Sequence, residues 1–304
     1  TYREALELRD LPKSAIVIGA GPIGLEFATI WRSYGAEVTV VEMLDQILPA
    51  EDAEAAKELS RYLRRMRIKA MTSTRVQDVE ATDDGVVVEV EGPKGEKTLE
   101  ADVALVAIGV RPNSQDLGLE DVGVELSGEW VRVDDFMRTS VSNVYAIGDL
   151  NGTLPLAHVA SAQGVLAAEM IAGKNPDPFK RALMPRGTYT SPQVASFGLT
   201  ADEAEEQGHE IEVGQFPFLP NGKALAIGEN HGFVKIVADK TTHEVLGAVI
   251  VGPEATELIP ELLLAARTEL TPEEIAYTVH AHPTLNEAIM EAAHDVFGHA
   301  LQMV

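Results

Sequence analysis

"SAIVIGAGPIGLEFATIWRSYG", Ser14 to Gly35, decides the fold. Its first residues form an apolar, β-branched run that reads as a buried strand ending in a glycine turn. Helical spacing follows, with Ile23, Phe27, Ile30 and Trp31 on one face. Pro22 suits a first helical turn, where a missing N–H costs nothing. Gly19-Ala20-Gly21-Pro22-Ile23-Gly24 thus stands between a strand and a helix. In that setting Gly19 permits the tight turn, Gly21 lets the backbone approach a pyrophosphate, and Gly24 allows close helix–strand packing. The helix N-terminus supplies free N–H groups to the phosphate.

"EVTVVE" (37–42) reads as a second strand, ending on Glu42. A carboxylate there accepts hydrogen bonds from an adenosine ribose and repels a 2′-phosphate, so NAD is favoured over NADP. "EDAEAAKELSRYLRRM" (51–66) is a second helix, acidic at its start and basic at its end, as the helix dipole favours. Short β-patterned runs follow: "TRVQDVEA", "GVVVEVEG" and "KTLEADVALVAIG", separated by turns at Asp83–Gly85 and Gly92–Gly95. A βαβ unit, a small β excursion and a returning buried strand predict a Rossmann-like α/β dinucleotide-binding domain over about residues 1–112.

Residues 113–185 carry "VYAIGDLNG" and the helical "AHVASAQGVLAAEMIAG". Ala146-Ile147-Gly148-Asp149 reads as a strand ending in Gly-Asp. Alone that is a turn; an exposed aspartate at a strand end also binds ligand hydroxyls. "GKNPDPFKRALMPRG" reads as a linker. Residues 186–304 hold four strands ("PQVASFG", "EIEVGQF", "GFVKIVAD", "EVLGAVIVG") and then two helices ("EATELIPELLLAARTEL", "LNEAIMEAAHDVFG"). That order predicts an α+β domain with helices on one face of an antiparallel sheet.

In "HAHPTLNEA" two readings compete. His282 with Glu287 is the arrangement of a general base and its orienting carboxylate. "TLNE" is equally a capping box, with Thr284 as N-cap and Glu287 at the third helical position. A metal site from His280 and His282 lacks a third ligand nearby in sequence, so none is expected. His294 and His299 read as surface or packing residues.

The composition sets limits. With 48 acidic and 24 basic residues among 304, the formal charge is −24, which repels nucleic acid and anionic membranes. No apolar run reaches the ~18 residues of a membrane span. "TYREALELRDLPK" has no signal-peptide core, so the expected location is cytoplasmic. The chain contains no cysteine, which excludes disulfides and thiolate metal sites within it.

"SAIVIGAGPIGLEFA", "VTVVE", "AIGVRPN", "VYAIGD", "LAHVASAQG" and "HAHPTLNEA" stand in an order that resembles the dihydrolipoamide dehydrogenases, among the FAD-dependent pyridine nucleotide–disulfide oxidoreductases. The resemblance covers essentially the whole chain. It implies an NAD-binding domain, a partial FAD-contacting central region and a dimerisation domain (186–304), in enzymes of cell redox homeostasis. His282 matches the family's base, which deprotonates a dihydrolipoyl thiol, and Glu287 its orienting carboxylate. Gly19, Ala20, Gly21, Pro22, Ile23, Gly24, Leu25 and Glu26 match the NAD pyrophosphate turn, with Glu26 near the nicotinamide. Glu42 matches the ribose contact, Val76 an adenine contact and Gly109 a nicotinamide-side contact. Gly148 and Asp149 match the residues at the FAD ribityl–phosphate region. Leu156, Ala157 and His158 match a segment touching the flavin. Implied partners are a second copy of the chain and the lipoyl domains of a 2-oxoacid dehydrogenase complex.

The family's FAD domain, with its redox cysteine pair, has no counterpart in these residues. The expectation is therefore a truncated or separately encoded part, inactive alone in lipoamide turnover, whose FAD domain is missing or supplied by another chain. The competing reading is a non-catalytic NAD-binding and dimerisation module. Within the family, Glu42 argues against NADPH-using relatives similar to glutathione reductase. "FGHALQMV" lacks the cysteines of relatives similar to mercuric reductase. NADH oxidases and peroxidases lack the His-Pro-Thr and Glu arrangement.

Overall fold

The glycine-rich stretch folds as strand β1 (Ser14–Ile18), a turn and helix α2 (Pro22–Ser33), after a short helix α1 (Tyr2–Glu7). The computed structural model describes residues 1–301. Strand β2 (Glu37–Val41) pairs parallel with β1, placing Ile16 opposite Thr39. Helix α3 (Ala53–Arg65) leads to β3 (Lys69–Met71), parallel with β2. The chain then leaves this sheet for an antiparallel meander, β4 (Arg75–Thr82), β5 (Gly85–Gly92) and β6 (Gly95–Ala101). It returns as β7 (Val103–Val106), parallel with β1, so the sheet order is β3-β2-β1-β7. Ala15, Ile16, Val17 and Ile18 are all buried because both faces of the sheet are covered. Val86, Val88 and Val90 alternate inward from the meander onto Ile16, Ile18 and Val41. Leu25, Ala28, Leu59 and Leu63 of α2 and α3 cover the opposite face.

The buried face of α2 differs from the one the spacing predicts. Gly24, Leu25, Ala28, Thr29 and Trp31 are buried, whereas Ile30 is 49% exposed and Ile23 and Phe27 are only half-buried. The cause is the closeness of helix and strand at the turn. A Cβ on Gly24 would lie 2.1 Å from the Gly19 carbonyl oxygen, so small residues at 24 and 28 turn toward the sheet. Asp52 caps α3, its Oδ1 accepting from the Glu54 and Ala55 amides.

By its contacts the chain divides into two units, Thr1–Gly109 with the chain from Pro185 on, and Val110–Met184. The second holds a hairpin of β8 (Leu126–Ser127) and β9 (Trp130–Val131), a 3-10 turn at Gly148–Asn151 and helix α4 (Ala157–Ile171). The expected strand before Asp149 does not form. Tyr145 makes a single bridge to Arg138, and Ile147 is extended (φ −126°, ψ 161°). An extended segment with no neighbouring strand has no ladder to join.

From Pro185 on, the first unit continues with β10 (Arg186–Thr188), β11 (Gln193–Gly198), α5 (Ala201–Glu206), β12 (Ile211–Pro217) and α6 (Gly222–Ile227). Strands β13 (Phe233–Asp239) and β14 (Val245–Gly252) precede helices α7 (Ala255–Arg267), α8 (Pro272–Tyr277) and α9 (Glu287–Val296). The antiparallel sheet runs β10-β11-β14-β13-β12. Helix α9 lies hard against β12: a Cβ on Gly214 would stand 2.1 Å from the Ala292 carbonyl. Helices cover more than the single face expected. Val194, Phe233, Val249 and Val251 share one apolar cluster with Leu59 and Leu63 of α3. Strands β13 and β14 are accordingly buried almost throughout.

Candidate functional site

The turn after β1 opens into a cleft of about 790 Å³, lined among others by Gly19, Gly21, Glu42, Val76 and Gly109. Gly19 has φ +103°, and a Cβ there would meet the Ala107 carbonyl at 2.5 Å, so glycine is required twice over. Gly21 is the N-cap of α2 and makes no side-chain capping bond. A Cβ on it would meet nothing within 4 Å, which leaves the approach to the first-turn N–H groups open. These residues fit a dinucleotide: an open helix N-terminus faces one cavity with an acidic residue at the end of the adjacent strand.

Glu42 is 8% exposed. Its Oε2 accepts from the Ala20 amide at 2.7 Å and its Oε1 from the Leu44 amide at 2.9 Å. An ionised carboxylate has about four acceptor positions, so two remain beyond these bonds. The carboxylate therefore also staples the glycine turn to the end of β2, a role that spacing alone did not reveal. Ala20 and Leu25 are fully buried, so their side chains belong to the core. Pro22 and Ile23 line the cleft. Glu26 Oε1 accepts from the Tyr189 amide at 2.8 Å. Burial raises its carboxyl above the usual range against that hydrogen bond.

Gly148, Asp149, Leu156, Ala157 and His158 all lie in the second unit. Gly148 has φ +69° and opens the 3-10 turn, with Asp149 exposed on it. Leu156 is the N-cap of α4, and Ala157 and His158 are exposed in its first turn. The turn rests on two residues absent from the sequence reading. Gln163, fully buried, accepts through Oε1 from the Gly148 amide (2.7 Å) and from Asn151 Nδ2 (3.0 Å). Asn151 Nδ2 also donates to the Ala146 carbonyl at 3.1 Å.

His282 and Glu287 meet at the loop between α8 and α9. Glu287 Oε1 stands 2.8 Å from His282 Nδ1, and a carboxylate only accepts, so Nδ1 carries the proton. Glu287 Oε2 accepts from the Thr284 amide at 2.8 Å. One carboxylate thus contacts both the His282 ring and the Thr284 amide. The capping box is only half made: α9 begins at Glu287 with Asn286 as N-cap, and the Thr284 hydroxyl donates to the Ala281 carbonyl. Burial would raise the Glu287 carboxyl, but the Thr284 amide and His282 draw it below the usual range. The His282 side chain is 73% exposed, and with Nδ1 on Glu287 its Nε2 is the nitrogen left to solvent. A neutral imidazole held in this way can accept a proton at Nε2. His280 turns the other way, into contacts with the Thr278 carbonyl and Glu261.

Residues 1–164, more than half of the chain, match the family described as pyridine nucleotide-disulphide oxidoreductase. Residues 184–293 match the dimerisation domain of that description. A curated relative, the dihydrolipoyl dehydrogenase of Mycobacterium leprae, is 45% identical over 303 residues, covering 99% of this chain and 65% of the relative. That of Bacillus subtilis is 43% identical, covering 99% and 64%. A crystal structure of LpdA from Mycobacterium tuberculosis superposes with a TM-score of 0.89 at 35% identity, covering 96% of this chain and 63% of that one. The chain thus spans about 65% of the length of the curated relatives it matches. Among the described residues no helix is long and apolar enough to cross a membrane. With the family match running from the first residue through the glycine turn to α4, the chain belongs to the pyridine nucleotide–disulphide oxidoreductase family.

Proposed function

We propose that this chain carries the NAD-binding, flavin-contacting and base-bearing parts of a dihydrolipoyl dehydrogenase. The observation that carries the reading is the His282 ring, with Nδ1 held at 2.8 Å by Glu287 and its other nitrogen in solvent. Gly19, Gly21, Glu42, Val76 and Gly109 would hold NAD, and Gly148, Asp149, Leu156, Ala157 and His158 would contact FAD. When bound, the two cofactors supply an electron relay and a hydride acceptor. His282 Nε2 accepts the proton of a substrate dithiol, leaving a thiolate as nucleophile. The resulting imidazolium keeps its second N–H on Glu287, whose negative charge stabilises it. The cysteine-free chain supplies no thiol, so both thiol–disulfide partners of the exchange come from outside these 304 residues. The dimerisation-domain match supports a homodimer, and the names of the relatives support a lipoyl-bearing partner in a 2-oxoacid dehydrogenase complex. A cytoplasmic site of action goes with that role.

The test is dihydrolipoamide-dependent NAD+ reduction by the chain completed with the flavin and a redox-disulfide-bearing FAD domain. His282→Gln is expected to lower kcat by about 10²–10⁴-fold, the usual worth of a general base. Unchanged turnover removes His282 from that role. The second reading, a non-catalytic NAD-binding and dimerisation module, is favoured by the absence of cysteine. It predicts NADH binding with neither a flavin absorption band nor turnover.

A further inference from the structure

The loop from Thr278 to Asn286 has little apolar packing to hold it. Val279 is 93% exposed, and Ala281, His282 and Pro283 are exposed as well. Leu285 alone of this run is buried. A segment with so few apolar contacts belongs to the locally less stable part of a fold, so polar anchors decide where it sits. Glu287 provides two of them from α9, on His282 and Thr284. Asn221 provides another, donating to the Thr284 carbonyl at 3.0 Å.

A further anchor comes from α7. Glu261 Oε1 stands 2.7 Å from His280 Nε2, and Glu261 Oε2 accepts from Asn286 Nδ2 at 2.9 Å. One carboxylate therefore grips the loop on both sides of His282. The His280 side chain is only 7% exposed, and its Nδ1 lies 2.7 Å from the Thr278 carbonyl. A carbonyl only accepts, so Nδ1 carries a proton. A further proton then lies between Nε2 and the Glu261 carboxylate, which makes this bond charge-assisted and stronger than a neutral one. Without Glu261, a nearly buried ring nitrogen and the Asn286 amide lose their acceptors together.

We propose that Glu261 is a second positioning carboxylate for the His282 loop: it holds the loop's two ends on α7 so that Glu287 can fix the tautomer of His282. The inference rests on the proposed role of His282 as the base. Glu261 touches neither the base nor a substrate, so its effect must be read at His282 itself.

The experiment is nitrogen-15 NMR of the histidine rings in the 304-residue protein, for wild type, Glu261→Ala, Glu261→Gln and Glu287→Gln. Wild type is expected to show His282 held as one tautomer, with the proton on Nδ1. Glu261→Ala is expected to move the His282 nitrogen shifts toward those of a free, mixed-tautomer imidazole. Glu261→Gln, which keeps the shape and one acceptor, is expected to move them part of the way. It carries the test alone should Glu261→Ala fail to fold. His282 shifts identical to wild type in the folded Glu261 variants, but moved in Glu287→Gln, overturn the role of Glu261 and leave the base reading standing. A mixed tautomer already in wild type overturns both.

Discussion

Lys235 of β13 places Nζ 2.9 Å from Asp52 Oδ2, the same carboxylate whose Oδ1 caps α3. Nζ also lies 2.8 Å from Glu54 Oε2. Nearby, Glu51 accepts from Arg186 Nε at 2.9 Å and from the Ser196 hydroxyl at 2.5 Å. Three carboxylates at the start of one helix thus fasten it to the antiparallel sheet. Burial would lower the Lys235 ammonium, but Glu54 and Asp52 raise it above its usual value. Lys235→Met leaves Asp52 buried without its counter-charge and is expected to cost roughly 3–5 kcal/mol. Urea unfolding measures it. The Lys235 contribution is fully present below the unfolded lysine pKa of about 10.4 and is lost as pH rises through the higher folded value.

Gly24→Ala is expected to damage the fold and the cleft together. The new Cβ would meet the Gly19 carbonyl at 2.1 Å, in a packed core that cannot give way. Overpacking of this kind costs about 1–3 kcal/mol and displaces the turn that faces the cleft. Thermal melting should fall, and NADH affinity should fall with it.

Glu42→Ala is expected to lower stability and NADH affinity together. It leaves the buried Ala20 amide without its acceptor, at about 1–3 kcal/mol. It also removes the proposed ribose contact. Glu42→Gln keeps an acceptor oxygen for only one of the two amides, so it is expected to lie between wild type and alanine in both melting and NADH titration.

Asp239 should shape the acid limb of stability. Its carboxyl is held well below the usual range, first by His209 Nδ1 at 2.9 Å and then by the Thr242 and Thr241 amides. A depressed carboxylate contributes stability above its unfolded pKa of about 3.9 and loses it as pH falls through the folded value. Asp239→Asn should therefore flatten the decline in melting temperature below about pH 4.

The βαβ unit was legible because its signals are local. A β-branched run, a glycine with φ +103° and a proline in the first helical turn each constrain their own neighbourhood. Helices α1, α5, α6 and α8, at six residues each, are too short to show a period in the sequence. The buried face of α2 was misjudged because side-chain size at Gly24 and Ala28, rather than hydrophobicity, decides which side meets the sheet. His282 and Glu287 were legible as a motif, five positions apart. Glu261, Gln163 and Asn151 were not, since their partners are set by tertiary packing: Glu261 lies nineteen positions from His280.

The central claim is that the cleft beside Gly21 and Glu42 takes NAD. Titration calorimetry of the 304-residue protein with NADH tests it most directly, comparing wild type with Glu42→Arg. One saturable site per chain in wild type, sharply weakened by the arginine, is the predicted result. Absence of binding heat and of competition by NAD+ in a folded wild-type protein would contradict it.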